Sequence, residues 1–351
     1  MRCRAMLITL TFGLLALRSW SGAIAQEPTA TPSGASDAAP LPAASPALAP
    51  VLAEFVREVP VGTDPLSAPA GVAVDAAGTL YVVNGPKNTV RVFDRDGTPI
   101  AVWGERGPGP GQFVFRAEGY FWGDLALGPD GNVYVLDPFN SRVQVLAPDG
   151  TYVREWGKAG AKPGQLTTPA GIAVDGAGLV YVADSGNQRL QVFDGTGRLL
   201  ASWDGTEAGG SSFQDPADVT VDAAGRVFVV DRVTRRVTRS TTQGTHFTVG
   251  GERGVVLPAE FVEPRGAAVD ARGTLYVADY RRHRVDVFAP NGTLLGSIGS
   301  VGTQPGQFLN PSYLTVGGDG LLYVADEGNR RVQVFRLLPP PALAPGTPVP
   351  A

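Results

Sequence analysis

Residues Pro163–Phe193 read PGQLTTPAGIAVDGAGLVYVADSGNQRLQVF, and 142 residues further on Pro305–Phe335 read PGQFLNPSYLTVGGDGLLYVADEGNRRVQVF. The same pattern is written, less faithfully, four more times. A glycine two or three residues before a YV-like pair marks the copies at Gly78, Gly131, Gly178, Gly225, Gly273 and Gly320, with steps of 53, 47, 47, 48 and 47 residues. Near-constant spacing in this range signals a repeat architecture in which each copy is one supersecondary unit.

In the third copy, GIAVD from Gly171, LVYVAD from Leu179, RLQVFD from Arg189 and RLLASW from Arg198 are short runs rich in β-branched and aromatic residues, parted by Gly, Asp and Asn. Each run reads as a strand, and each copy as four strands joined by tight turns. No stretch has helical periodicity. The spacing therefore predicts an all-β protein, a six-bladed β-propeller with four antiparallel strands per blade. Small residues at the centre of the first strands (Ala73, Ala126, Ala173, Thr220, Ala268, Thr315) suit strands crowding round an axis. Bulky residues ending the fourth strands (Trp103, Trp156, Trp203, Val249, Ile298) suit wedges between blades. The sixth copy lacks a fourth strand after Phe335, whereas EFVREV from Glu54 is similar to TYVREW from Thr151, a fourth strand. Residues 52–59 are expected to pair with 331–336 and close the ring, which leaves few free edges.

Each second strand ends on Asn84, Asp137, Asp184, Asp231, Asp279 or Asp326. Five residues later stands Arg142, Arg189, Arg236, Arg284 or Arg331, with Thr89 the exception, and three copies place Asn140, Asn187 or Asn329 between. A carboxylate at a strand end is expected to accept the N–H groups of its turn and the fork of the arginine. Because the pattern recurs, it belongs to the building of a blade.

At these residues the chain resembles the NHL-repeat family of β-propellers, whose repeats look like P.G(I/V)AVD..G.(V/L)YVAD..N.R(V/L)QVF. The third and sixth copies match best, and the fourth, PADVTVDAAGRVFVVDRVTRRVTRS from Pro216, is degenerate. The resemblance runs from residue 52 to 337. It implies the propeller fold and leaves activity open, since such propellers serve as protein or RNA platforms, as lyases and, among six-bladed relatives, as metal-dependent hydrolases.

The flanks read differently. Arg2 and Arg4, the apolar run Ala5–Leu17 and the triplet Ala23-Ile24-Ala25 match a secretory signal over residues 1–25, with a run too short to span a bilayer. The one cysteine, Cys3, precedes that run, so the mature chain is expected to have no disulfide and no sulfur ligand. Residues 26–50 and 338–351 are rich in Pro and Ala with little to bury, and read as a disordered spacer and a Pro-rich tail around a propeller at 51–337. A net charge of -4 and a pI near 5.3 argue against nucleic acid or anionic membrane as partner. The expected form is a secreted monomer.

Residues that break the repeat are the candidates for function. The first strands begin with Gly71, Asp124, Gly171, Asp218, Gly266 and Tyr313, and one residue earlier stand Ala70, Gly123, Ala170, Ala217, Arg265 and Ser312. Asp124, Asp218, Arg265 and Tyr313 depart from small residues. The two carboxylates either hold Ca²⁺ or another hard cation, although calcium takes about six to eight oxygens, or are solvated or loop-capping. The second copy is longer, and FVFRAEGYFWGD (Phe113–Asp124) puts Tyr120, Phe121 and Trp122 ahead of its first strand. These aromatics either receive a sugar, peptide or protein partner or plug the channel mouth. Arg232 and Arg235, with Arg281, Arg282 and His283 in the equivalent loop of the next blade, form either a positive patch for a carboxylate, phosphate or anionic glycan, or a solvated surface.

With only His246 and His283, an ordinary zinc site and a Ser-His-Asp site are unsupported. The expected function is a non-enzymatic platform for a protein, peptide or glycan on the loop face, without a cofactor. The alternative is a metal-dependent hydrolase or lyase with a cation at Asp124 and Asp218.

Overall fold

Val180–Asp184 (VYVAD) lacks the polar alternation of a half-exposed strand, and in a computed structural model every residue of it is buried. The same holds for Leu80–Asn84, Val133–Asp137 and Leu275–Asp279. The structure describes residues 52–59, 66–117, 120–204, 212–241 and 261–339, with Ala117, Tyr120, Phe121 and Thr241 as backbone only. The chain divides into two compact units, Met1–Ala47 and Leu48–Ala351, and all described residues belong to the second. The expected signal, the spacer, most of the tail, Val249 and His246 lie outside the described residues.

The chain is a six-bladed β-propeller. Blade 1 runs outward through Pro69–Val74, Leu80–Asn84, Thr89–Phe93 and Pro99–Trp103, and the other copies follow the same order. In blade 4 the described strands are Pro216–Val221, Arg226–Asp231 and Arg236–Thr241. Each innermost strand lies against those of both neighbouring blades, the sixth against the first. The ring closes as expected. Ala53–Val59 pairs antiparallel with Arg331–Leu337, from Ala53 opposite Leu337 to Val59 opposite Val332, as the outer strand of blade 6.

Apolar clusters fill the gaps between blades. Trp103 at the end of blade 1 packs with Leu125, Val133 and Leu146 of blade 2, and Trp156, Trp203 and Ile298 take the same role further round. The fit is close: a Cβ on Gly150 would stand 2.6 Å from the Trp103 ring, and one on Gly197 2.5 Å from Trp156.

The recurring Asp and Arg bind one blade to the connection arriving from the blade before. Asp184 accepts the Thr167 N–H at 2.7 Å, Asn187 Nδ2 at 2.8 Å and Arg189 Nε at 2.8 Å. The far end of Arg189 donates to the carbonyls of Ala161, Lys162 and Gln165. Asp137 with Arg142 and Asp326 with Arg331 repeat this, so the PGQ loops are clamped at blades 2, 3 and 6. The expected fork differs here: a single Nε–H reaches the carboxylate, because the other guanidinium donors are drawn to loop carbonyls and, in Arg142 and Arg331, to the outer-strand acids Glu155 and Glu58. In blade 5, Arg284 turns instead to Asp286 at 2.8 Å.

Because ring closure rests on Ala53–Val59, removing residues 1–59 should expose the edge of Arg331–Leu337 and the apolar residues of blade 6. The expected outcome is loss of the single cooperative calorimetric transition together with self-association on size exclusion. A truncated monomer that melts like the full chain would contradict it.

Candidate functional site

The inner strands turn one hydrogen-bonding edge toward the axis, where no further strand can pair with it. Large residues from alternate blades meet part of that demand. Blades 2, 4 and 6 contribute Asp124, Asp218 and Tyr313, while blades 1, 3 and 5 have Gly71, Gly171 and Gly266 at the same level. The glycines are obligatory: a Cβ would come within 2.4 Å of Asp124 at Gly71, 2.5 Å of Asp218 at Gly171 and 2.8 Å of Tyr313 Cα at Gly266. Asp124 accepts the Ile172 N–H at 2.9 Å and Asp218 accepts the Ala267 N–H at 2.8 Å, each from the next blade. The Tyr313 hydroxyl crosses the axis and donates to the Ala170 carbonyl at 2.8 Å.

These three side chains are only 5%, 4% and 7% exposed, and they close the loop-face end of an axial cavity of about 270 Å³. The cavity continues along the inner strands to Val74, Leu127, Val174 and their counterparts, which are more exposed. Burial pushes the Asp124 carboxyl up to about 7, although the amides of Ile172 and Leu125 hold it down in part. Asp218 lies well above the usual carboxylate range, through burial and then the charge of Asp124. Tyr313 is raised by burial and by both carboxylates, against Arg232 and Arg265.

Outside this lid lie the remaining predicted residues. Trp122 stands where the other five copies have proline (Pro69, Pro169, Pro216, Pro264, Pro311). Its ring stacks on Phe139 at 6.1 Å and 9°, and the Arg232 guanidinium lies over it at 5.0 Å. Arg232 binds Asp215 through Nε at 2.9 Å and Nη2 at 3.0 Å, and Ser185 Oγ donates to the same carboxylate. Burial works against the Arg232 charge, but Asp215 outweighs it and the group is raised. Arg265 lies 3.3 Å over the Tyr280 ring, paired with Glu263 at 2.9 Å and Glu327 at 3.2 Å. Arg281 joins the far oxygen of Glu263 at 2.9 Å.

The structure thus brings Asp124, Asp218 and Tyr313 together at the axis, with Trp122, Arg232, Arg265 and Arg281 on the loop face around them. Arg282 faces Asp279 at 3.8 Å, and His283 accepts the Asn310 N–H. Arg235 is exposed at φ 55°, the left-handed position of its loop. Tyr120–Phe121 forms a two-residue strand on Arg116–Ala117, a small hairpin at the lip of blade 2. Sequence reasoning missed the acids Asp215, Glu263 and Glu327 and the ring of Tyr280. A signal existed: the residue after each second strand reads Gly85, Pro138, Ser185, Arg232, Tyr280, Glu327, and blades 4 to 6 alone are large there.

The NHL repeat profile matches residues 166–193, 261–288 and 308–335, which are blades 3, 5 and 6. This chain carries NHL repeats. No curated protein matches its sequence. Among solved structures, virginiamycin B lyase from Staphylococcus aureus aligns over 81% of this propeller chain and 100% of its own, at 15% identity and a TM-score of 0.55. An auxiliary nutrient binding protein from Bacteroides thetaiotaomicron aligns over 77% of this chain and 69% of its own, at 12% identity and a TM-score of 0.56. A chain of a nidogen/laminin complex aligns over 74% and 86%, at 18% identity and a TM-score of 0.53. At these identities the likeness is one of fold.

As a cation site, the propeller axis offers a sparse donor set. Among the described residues no three His, Cys, Asp or Glu side chains group to hold a metal, and Asp124 and Asp218 both already accept amide N–H bonds.

The raised carboxyls make stability depend on pH. Their folded-state affinity for protons exceeds that of the unfolded chain, so the folded state holds more protons above about pH 4, up to about pH 7 in the case of Asp124, and loses stability as pH rises through that range. Each group contributes a slope of up to roughly 1.4 kcal/mol per pH unit. Urea unfolding across that range should show stability falling with pH in the native chain, and a flatter profile in Asp124→Asn and in Asp218→Asn. Equal slopes in all three would refute it.

Proposed function

We propose that this NHL propeller is an exported binding platform that receives a protein, peptide or glycan partner on its loop face. Side chains that depart from the repeat support the reading: Trp122, Arg232, Arg265 and Tyr313 come from blades 2, 4, 5 and 6, and ring contacts and ion pairs hold them around one lidded mouth. Order at a loop face without a role in building the blades is what a recognition surface requires. Export rests on the N-terminal charge, apolar run and small-residue triplet before Gln26.

A rival reading, a hydrolase or lyase with a cation at Asp124 and Asp218, draws on the two buried carboxyls facing one cavity. Calcium titration followed by thermal melting separates the readings, because a resident cation would raise the melting point of the native chain and leave Asp218→Asn unmoved.

The platform reading is tested by screening the purified chain on peptide and glycan arrays and repeating each hit with Trp122→Ala and Arg232→Ala. Losses of about 1 to 3 kcal/mol, tenfold or more in affinity, are expected from anchors of this kind. Hits that keep full affinity in both variants would move the site elsewhere.

A further inference from the structure

We propose that the loop-face mouth is a site for a neutral saccharide. This rests on the platform reading above and specifies the chemistry of its guest. Three guanidinium groups meet three carboxylates there: Arg232 pairs with Asp215, Arg265 and Arg281 pair with Glu263, and Arg265 also pairs with Glu327. The charge of Glu263 also acts on Arg232, so the two groups neighbour one another across blades 4 and 5. An anionic guest would face three carboxylates, and a cationic guest three guanidinium groups. A hydroxyl both donates and accepts, so a polyol meets each of them on favourable terms.

The polar groups are engaged without being exhausted. Glu263 gives one oxygen to Arg265 and the other to Arg281, and Glu327 gives one to Arg265 and the other to the Tyr280 hydroxyl. A carboxylate oxygen accepts more than one hydrogen bond, which leaves acceptor capacity facing outward. Their side chains are 15% to 25% exposed for Arg232, Asp215, Glu263, Arg265 and Glu327, reachable from solvent yet fixed. Arg232 rests on Trp122 and Arg265 on Tyr280, so little ordering cost remains for a guest to meet.

The shape agrees with the chemistry. Blades 4 to 6 put Arg232, Tyr280 and Glu327 at the rim, whereas the equivalent positions of blades 1 to 3 are Gly85, Pro138 and Ser185. Beside this polar rim the stacked Trp122 and Phe139, each partly exposed, add apolar ring surface of the kind that the C–H face of a sugar ring meets. The Tyr313 lid keeps such a guest on the face and out of the axial cavity.

The test titrates the purified full chain with neutral oligosaccharides and with acidic counterparts carrying uronate or sialate, at low salt and at higher salt. A neutral member should bind with an affinity that changes by no more than about twofold when salt rises. Arg265→Ala and Glu327→Gln should each weaken it about tenfold, while Asp149→Asn, in a turn of the opposite face, leaves it unchanged. If Arg265→Ala fails to fold, Arg281→Ala at an exposed position makes the same test. Binding restricted to acidic sugars, salt-sensitive and lost in the same variants, overturns the neutral-saccharide inference and leaves the platform intact. Neutral binding indifferent to these variants overturns the site. Peptide hits lost in these variants, with no sugar bound, overturn the saccharide while sparing the platform, and hits of every class indifferent to them overturn both.

Discussion

The pairing of Ala53–Val59 with Arg331–Leu337 turns a row of sheets into a disc. Without it the first and last blades each keep a free edge, and the inner strands of blades 1 and 6 need not meet. The chain entropy of joining such distant segments grows only with the logarithm of loop length, roughly 0.6 kcal/mol per doubling, so a very long closure costs little more than a moderate one. In return the closing strand brings Val59 into the apolar gap between blades 6 and 1, alongside Leu66, Val72 and Tyr323. Closure also decides where the irregular residues go, since only a complete ring carries Trp122, Asp218 and Tyr313 from distant parts of the chain to one axis.

At that axis a second constraint takes over. Six strand edges point inward and cannot pair with one another, so their N–H and C=O groups need other partners or water. The chain answers at the loop-face end with side chains from alternate blades: two carboxylates accept amide N–H bonds, and one phenol O–H donates to a carbonyl. The same alternation forces glycine on the intervening blades, because the backbone of the neighbour occupies the space of a Cβ. The result is a lid whose carboxyls are neutral more readily than ordinary aspartates, with no guanidinium paired to them among the described residues: Arg232 and Arg265 are committed to Asp215, Glu263 and Glu327 one layer further out.

The repeat made the blades, the closing strand and the wedging tryptophans legible, because period, strand length and a missing fourth strand are local properties of the sequence. The candidate site was legible only in part. Asp124, Asp218, Arg265 and Tyr313 stood out as misfits in columns of small residues, and the fold does bring them to one end of the disc. Their partners did not stand out, because Glu263 and Asp215 precede proline in loops where an acid is unremarkable, and Glu327 follows a strand-end aspartate. Which arginine meets which acid depends on how neighbouring loops lean over the axis, and the period of a repeat carries no such information. That Arg232, Arg265 and Arg281 would be matched by acids could not be read from their spacing.

Two kinds of acid–arginine pair coexist in this molecule, and they differ in recurrence and in exposure. Asp137, Asp184 and Asp326 recur, are fully buried, and spend their arginines on loop carbonyls within the blade framework. Removing one would strand several buried donors, a cost of about 3 to 5 kcal/mol, so stability alone accounts for their presence. Asp215, Glu263 and Glu327 occur once each, are partly exposed, and pair with arginines that lie flat on aromatic rings at the mouth. Pairs of that partial exposure fall between surface pairs, worth about 1 kcal/mol or less, and fully buried ones, and replacing both partners together costs the fold less than removing one. The repeat does not account for these side chains, since blades 1 to 3 place Gly85, Pro138 and Ser185 where blades 4 to 6 place Arg232, Tyr280 and Glu327.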